Sequence, residues 1–97
     1  YTVILDDKKL GRNIFSYILI RVDSNYLKDK RISQRELAKK IKRIGCVESI
    51  SIVTGDHDII ARIGVSDIEE LNDFIQKKLR NISGIESTKT MIVLDEV

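Results

Sequence analysis

"SQRELAKKIKRIGCVESISIVT", Ser33–Thr54, changes its hydrophobic period half-way along, and that change decides the fold. Ser33 followed three residues later by Glu36 is a capping box: a hydroxyl and a carboxylate placed to satisfy the unpaired N–H groups of a helix start. Leu37, Ala38, Ile41 and Ile44 then recur at helical spacing, and Gly45 stands where a C-terminal cap is expected. Beyond Gly45 the period drops to two, with Ile50 and Ile52 alternating against Ser49 and Ser51. A helix therefore feeds a half-buried strand.

The same grammar returns in the second half. "SDIEELNDFIQKKLRN" opens with Ser66 and Glu69 as a second capping box, and puts Ile68, Leu71, Phe74, Ile75 and Leu79 on one face. "GIES" (Gly84–Ser87) echoes "GCVES" (Gly45–Ser49), and each leads into a strand. "NIFSYILIRV" (Asn13–Val22) and "DIIARIGV" (Asp58–Val65) read as further strands, "DSNYLKDKRI" as a polar connection, and "GIESTKTMIVLDEV" as one long final strand. "YTVIL" (Tyr1–Leu5) is a short strand closed by the charged turn "DDKKLG". Residues 1–12 are thus read as an N-terminal strand and linker, and residues 13–97 as one domain. Its order is β-α-β-β-α-β, the α+β ferredoxin-like arrangement: a four-stranded antiparallel sheet with both helices on one face.

Two helices cover one face of such a sheet, yet both faces carry apolar residues. On the first long strand Ile14, Ile18, Ile20 and Val22 lie on one side, with Phe15, Tyr17 and Leu19 on the other. Met91 and Val93 oppose Ile92 and Leu94 on the last strand. An uncovered apolar sheet is an aggregation hazard, so Phe15, Tyr17 and Leu19 are expected to form a homodimer interface.

Composition removes several function classes. A formal net charge of +2 with 33% charged residues argues against nucleic-acid binding by bulk charge. The basic residues Lys39, Lys40, Lys42 and Arg43 cluster on the first helix, where a solvated face is the simpler reading, and the acidic residues of the second helix balance them. "DIIARIGV" has no aromatic on which RNA bases could stack. The single cysteine, Cys46, excludes an internal disulfide and a cysteine-based zinc site. No apolar run approaches the roughly 20 residues of a membrane span, so a cytoplasmic protein with no membrane partner is expected. The lone His57 has no nucleophile beside it, and three successive residues of a strand do not converge on one metal ion. Neither a catalytic site, a metal nor a cofactor is expected.

What remains is the hairpin tip in "VTGDHDII" (Val53–Ile60). Gly55 can take a positive φ and leaves backbone N–H groups uncovered, which suits a carboxylate, while Asp56 or Asp58 can pair with an ammonium. Thr54, Thr88 and Thr90 add hydroxyls, the last two on one side of their strand. Such a set fits a zwitterion such as an amino acid.

"YTVILDDKKLG", "VTGDHDIIARI" and "GIESTKTMIVLDEV" together resemble the C-terminal (RAM) domain of the Lrp/AsnC, or feast/famine, transcription regulators. At the centre of the likeness is a Thr-Gly-x-aromatic-Asp signature, matched by Thr54, Gly55, Asp56, His57 and Asp58, with His57 in place of the usual aromatic. A histidine keeps a flat ring but changes its polarity. The resemblance implies a homodimer through the sheet face that assembles further, often to an octamer. It implies an amino-acid-like effector at dimer–dimer contacts, with Thr54, Gly55, Asp56, His57, Asp58, Thr88 and Thr90 at its site. It also implies a DNA-binding helix-turn-helix preceding this domain in full-length relatives. This chain carries none, so no direct DNA binding is expected of it. Its first residue is not Met, and "YTVIL" is similar to the strand after the DNA-binding half; a truncated regulator is one expectation. A stand-alone domain, with or without a small ligand, that joins a full-length regulator is the other.

Overall fold

The computed structural model describes residues 13–97, so the strand expected at residues 1–5 and its turn lie outside the described residues. The elements are β1 (Ile14–Val22), α1 (Ser24–Lys30), α2 (Gln34–Lys42), β2 (Val47–Ile52), β3 (Ile59–Val65), α3 (Ile68–Asp73, running on into the π-helical Phe74–Leu79) and β4 (Ile85–Ile92). The sheet order is β2-β3-β1-β4, with every neighbouring pair antiparallel. The ferredoxin-like order is as expected from the sequence.

Alternation along β1 sorts the two faces. Ile18 and Ile20 are fully buried beneath the helices with Val22, and Ile59, Ala61, Ile63 and Val65 of β3 join them. Leu37, Ala38 and Ile41 of α2 and Leu71, Phe74 and Leu79 of α3 complete that core.

Four local readings need correction. "DSNYLKDKRI" is not merely a connection: Asp23 caps α1 by accepting the Tyr26 N–H at 3.1 Å, and Arg31 closes it in the left-handed region at φ 56°. An Asp cap, lysines in the last turn and the burial of Leu27 in the core hold a helix too short to show an apolar period. Ser33 caps α2 as expected, but Gly45 lacks a positive φ; Arg43 ends the helix in ordinary right-handed geometry. The cap of α3 is Asp67, whose carboxylate accepts the Glu70 N–H at 2.8 Å, and Glu70 reaches back to Ser66. The capping residues thus lie one position later than Ser66 and Glu69, and Ile68 is left 47% exposed instead of facing the core. Finally, β4 ends at Ile92, although the Val93 N–H still donates to the Phe15 carbonyl; Leu94 is fully solvated.

Gly84, unlike Gly45, is conformationally required. Its φ is +101°, and a Cβ there would meet the Tyr26 ring at 3.2 Å. Its carbonyl also accepts the Asp23 N–H, which fastens the start of β4 to the end of β1.

Candidate functional site

Two β-bulges shape the polar parts of the sheet. Opposite β3, Val47 faces Ile63 but Ser49 faces Arg62, so Glu48 is an extra residue in β2. Opposite β1, Ser87 faces Arg21 but Ile85 faces Val22, so Glu86 is an extra residue in β4. Glu48 and Glu86 are the matching glutamates of the "GCVES" and "GIES" echo. Each bulge re-aims a carboxylate, one onto the open sheet face and one towards the hairpin tip.

The tip spans Val53–Asp58 between β2 and β3. The Val53 N–H donates to the Asp58 carbonyl at 2.8 Å, and Gly55 supplies the left-handed turn at φ +118°. The tip is tied to the end of β1 at several points. The Asp58 N–H donates to the Ile20 carbonyl, Asp58 Oδ2 accepts the Val22 N–H at 3.0 Å, and Arg21 Nε and Nη2 donate to the Asp56 carbonyl at 3.0 and 2.7 Å. Val22 lies beyond the last paired residue of β3, so the Asp58 side chain stands in for a missing strand partner.

Beside these bonds lies a cleft of about 390 Å³. Gly55, Asp56 and Asp58 form its tip wall, Arg21 and Val22 the end of β1, Ser24 and Gln34 the starts of two helices, and Glu86 the bulge. The lining thus brings three carboxylic residues and one arginine to a single cleft, a set of groups suited to a ligand carrying both an ammonium and a carboxylate. Of the residues expected at the site, Gly55, Asp56 and Asp58 line this cleft, while Thr54 and His57 belong to the same tip but do not. Thr88 and Thr90 do share a side of β4, the helix side opposite Ile20 and Ile18. Thr88 lines a separate cleft of about 290 Å³ with Leu79 and Arg80. Arg21, Ser24, Gln34 and Glu86 were not singled out from sequence; the signal for Glu86 was the repeated "ES" after each glycine.

Asp58 thus has a structural task as well. Asp58→Ala leaves the Val22 N–H without its acceptor, and a loss of about 1–3 kcal/mol is expected, with Asp58→Asn retaining most of the bond. Urea denaturation of the three proteins measures it; equal stabilities for wild type and Asp58→Ala would show that the bond carries no weight.

On the opposite side of the sheet, Phe15, Tyr17 and Leu19 form an apolar strip flanked by Ile60 of β3 and Met91 of β4, which is 45% exposed. Arg62 lies across it. Its guanidinium is 4.7 Å from the Phe15 ring centroid and 5.7 Å from that of Tyr17, within cation–π range. Nε donates to Glu48 at 2.9 Å and Nη1 to the Tyr17 hydroxyl at 3.1 Å, while Glu96 lies 3.6 Å from Nη2. Burial works to lower the pKa of Arg62, but the hydrogen bonds it donates to Glu48 and Tyr17 outweigh it and hold the guanidinium above its ordinary value. The guanidinium at the middle of this face is therefore held in place and already paired with a carboxylate.

Residues 16–97 match the Lrp/AsnC ligand binding domain family. The chain belongs to that family. Among its relatives are an uncharacterized HTH-type transcriptional regulator of Pyrococcus abyssi, 33% identical over the whole chain and 62% of the relative. The HTH-type transcriptional regulator FL11 of Pyrococcus furiosus is also 33% identical, over 97% of this chain and 57% of its own length. This Lrp/AsnC domain thus spans about six-tenths of the length of the relatives it matches. Its fold is that of Escherichia coli AsnC (TM-score 0.77, 24% identity, 93% of this chain and 56% of that one). It is also that of a Neisseria meningitidis transcriptional regulator solved as an L-Met complex (TM-score 0.79, 19% identity, 93% and 55%). Among the described residues no three His, Cys, Asp or Glu side chains are grouped to hold a metal, and no helix is long and apolar enough to cross a membrane.

Proposed function

We propose that this chain is the effector-sensing and assembly part of a cytoplasmic transcription regulator, not an enzyme. Two copies pair through the open sheet face of Phe15, Tyr17 and Leu19, and an amino-acid-like effector binds the tip cleft where dimers meet. The observation that carries this reading is the cleft itself, which Asp56, Asp58 and Glu86 line together with Arg21 and the glycine turn at Gly55. The ammonium of a zwitterion is met by the carboxylates, and its carboxylate by the guanidinium and the glycine turn. That a structural neighbour was solved with L-Met supports the ligand class. An effector acts only by preferring one assembly state over another.

One observation favours a second reading. Arg21 and Asp58 already hydrogen-bond within the chain, to the Asp56 carbonyl and the Val22 N–H. A cleft whose key groups are spent on closing the tip can serve assembly alone, as a module that joins a full-length regulator without any small ligand.

Thermal melting against single amino acids separates the two. A native-state ligand at about 100 times its dissociation constant adds roughly 2.7 kcal/mol, a rise on the order of ten degrees for a domain of this size. One or two amino acids are expected to give such a shift, and Asp56→Ala to abolish it without unfolding the chain, since only the Asp56 carbonyl holds Arg21. A flat panel, with assembly confirmed in the same buffer, selects the ligand-free module.

A further inference from the structure

The chain's charge is divided, although its sum is small. Residues 28–43 hold eight of the seventeen basic residues and two of the fifteen acidic ones, a net +6, which leaves −4 for the rest of the chain. Leu37, Ala38 and Ile41 turn to the core, so the outer side of α2 carries Arg35, Lys39, Lys40, Lys42 and Arg43 in exposed positions. Lys42 is held by the Glu48 carbonyl at 3.0 Å, whereas the other four have no carboxylate partner among the described residues. The acids of α3 do not reach them: Asp67 and Glu70 close their own helix start, and Asp73 pairs with Lys77 at 3.5 Å. The end of α1 adds to the same charge. Lys28 and Lys30 stand in its last turn, and Arg31 is the one non-glycine residue at positive φ among the described residues. Glycine takes that conformation freely, whereas an arginine is strained in it. The Arg31 side chain is exposed and donates no hydrogen bond among the described residues, so the fold gains nothing from a cation there.

We propose that this outer face of α1 and α2 is a sequence-independent contact for the phosphate backbone of duplex DNA. Arg35, Lys39 and Lys42 follow one another at helical spacing and form a row, with Lys40 and Arg43 beside it. Such a row meets phosphates by charge and reads no bases. The face commits to a duplex because no apolar or aromatic side chain stands among the cations on the outer side of α2. Insertion into a lipid surface and stacking of unpaired bases both need one. Pairing through the open sheet face leaves this layer outside, so a dimer presents the contact twice. The choice of DNA among polyanions rests on the regulator reading above; the division of charge does not.

Fluorescence anisotropy of a labelled duplex of about 20 base pairs and arbitrary sequence, titrated with the 97-residue chain at stepped salt, tests the contact. Binding is expected at about 50 mM salt, with log K falling against log salt at a slope of about −4, roughly 0.9 for each phosphate neutralised. Lys39→Ala is expected to weaken binding roughly tenfold at low salt and to lower the slope by about one, alike on any duplex. Lys78→Ala, an equally exposed lysine on α3, leaves both unchanged. Arg31→Gly separates binding from folding: the slope falls by about one while the melting temperature holds or rises, because the left-handed strain is relieved. Absence of binding at about 50 mM salt, a slope near zero, or a Lys39→Ala chain that binds like wild type overturns the proposal. So does tighter binding to a single strand or to phosphatidylserine vesicles than to the duplex. The amino-acid melts report on the effector site alone, so a shift there without duplex binding overturns this contact and leaves the effector reading standing.

Discussion

Tyr17→Glu is expected to convert the proposed sheet-face dimer into monomers while the fold survives. In the single chain the substitution is tolerable. Position 17 lies on the open face opposite Arg62, whose guanidinium bonds the Tyr17 hydroxyl and can meet the new carboxylate. In the dimer the same position is covered by a partner, and a twofold interface buries two such carboxylates. Arg62 is already engaged by Glu48, and Glu96 lies nearby, so a third carboxylate must share the same guanidinium and most of its charge is left uncompensated once a partner excludes water. Burying an uncompensated charge costs about 3–5 kcal/mol, which raises the dimer dissociation constant by at least about a hundredfold. Tyr17→Phe is the control: it keeps the ring on the strip and removes only the bond to Arg62. Light scattering after size exclusion at micromolar concentration reads the outcome. A Tyr17→Glu chain with the wild-type mass would place the interface elsewhere.

The larger features of the fold were readable because they repeat. Alternation on β1 named both faces of the sheet. Ile18 and Ile20 are indeed fully buried, and Phe15, Tyr17 and Leu19 lie on the uncovered side. What the sequence hid are single-residue shifts. An Asp can cap as well as a Ser, so the two candidates Ser66 and Asp67 could not be ranked, and choosing the wrong one turned Ile68 inwards. Gly45 and Gly84 are indistinguishable in the echo, yet only Gly84 takes a left-handed φ, +101°, with a Tyr ring close to where a Cβ would stand. The bulges at Glu48 and Glu86 are likewise silent, since one extra strand residue shows only against its partner's register. They decide the polar geometry on both sides of the sheet. That is why Gly55, Asp56 and Asp58 could be named from sequence as part of a candidate site, while Arg21, Ser24, Gln34 and Glu86, which line the same cleft, could not. Those four are separated in sequence and meet only because β1, two helix starts and the bulge end at the same corner.

The helix that carries Ile68 makes the second large prediction. An ordinary α-helix places neighbours on one face three or four residues apart, yet Phe74 and Leu79, five apart, are 1% and 0% exposed. The π-turn over Phe74–Leu79, marked by the Arg80 N–H donating to the Ile75 carbonyl, widens the helix so that both side chains reach the core. Phe74 is the largest fully buried side chain among the described residues, and α3 packs on the sheet largely through it, Leu71 and Leu79. Phe74→Ala is therefore expected to cost about 3–5 kcal/mol, from lost burial and from the cavity left behind. A domain of this size has roughly 5–15 kcal/mol in total, so the melting temperature should fall on the order of 20 °C. Phe74→Leu keeps much of the volume and should cost less than about 1.5 kcal/mol. Ile68→Ala, on the solvent side, should change stability by no more than about 0.5 kcal/mol. Melts are best compared in the Tyr17→Glu background, where dimerisation does not add its own stabilisation. Should Phe74→Ala melt within a few degrees of its parent while Ile68→Ala collapses, the helix is rotated and Ile68, not Phe74, holds it to the core.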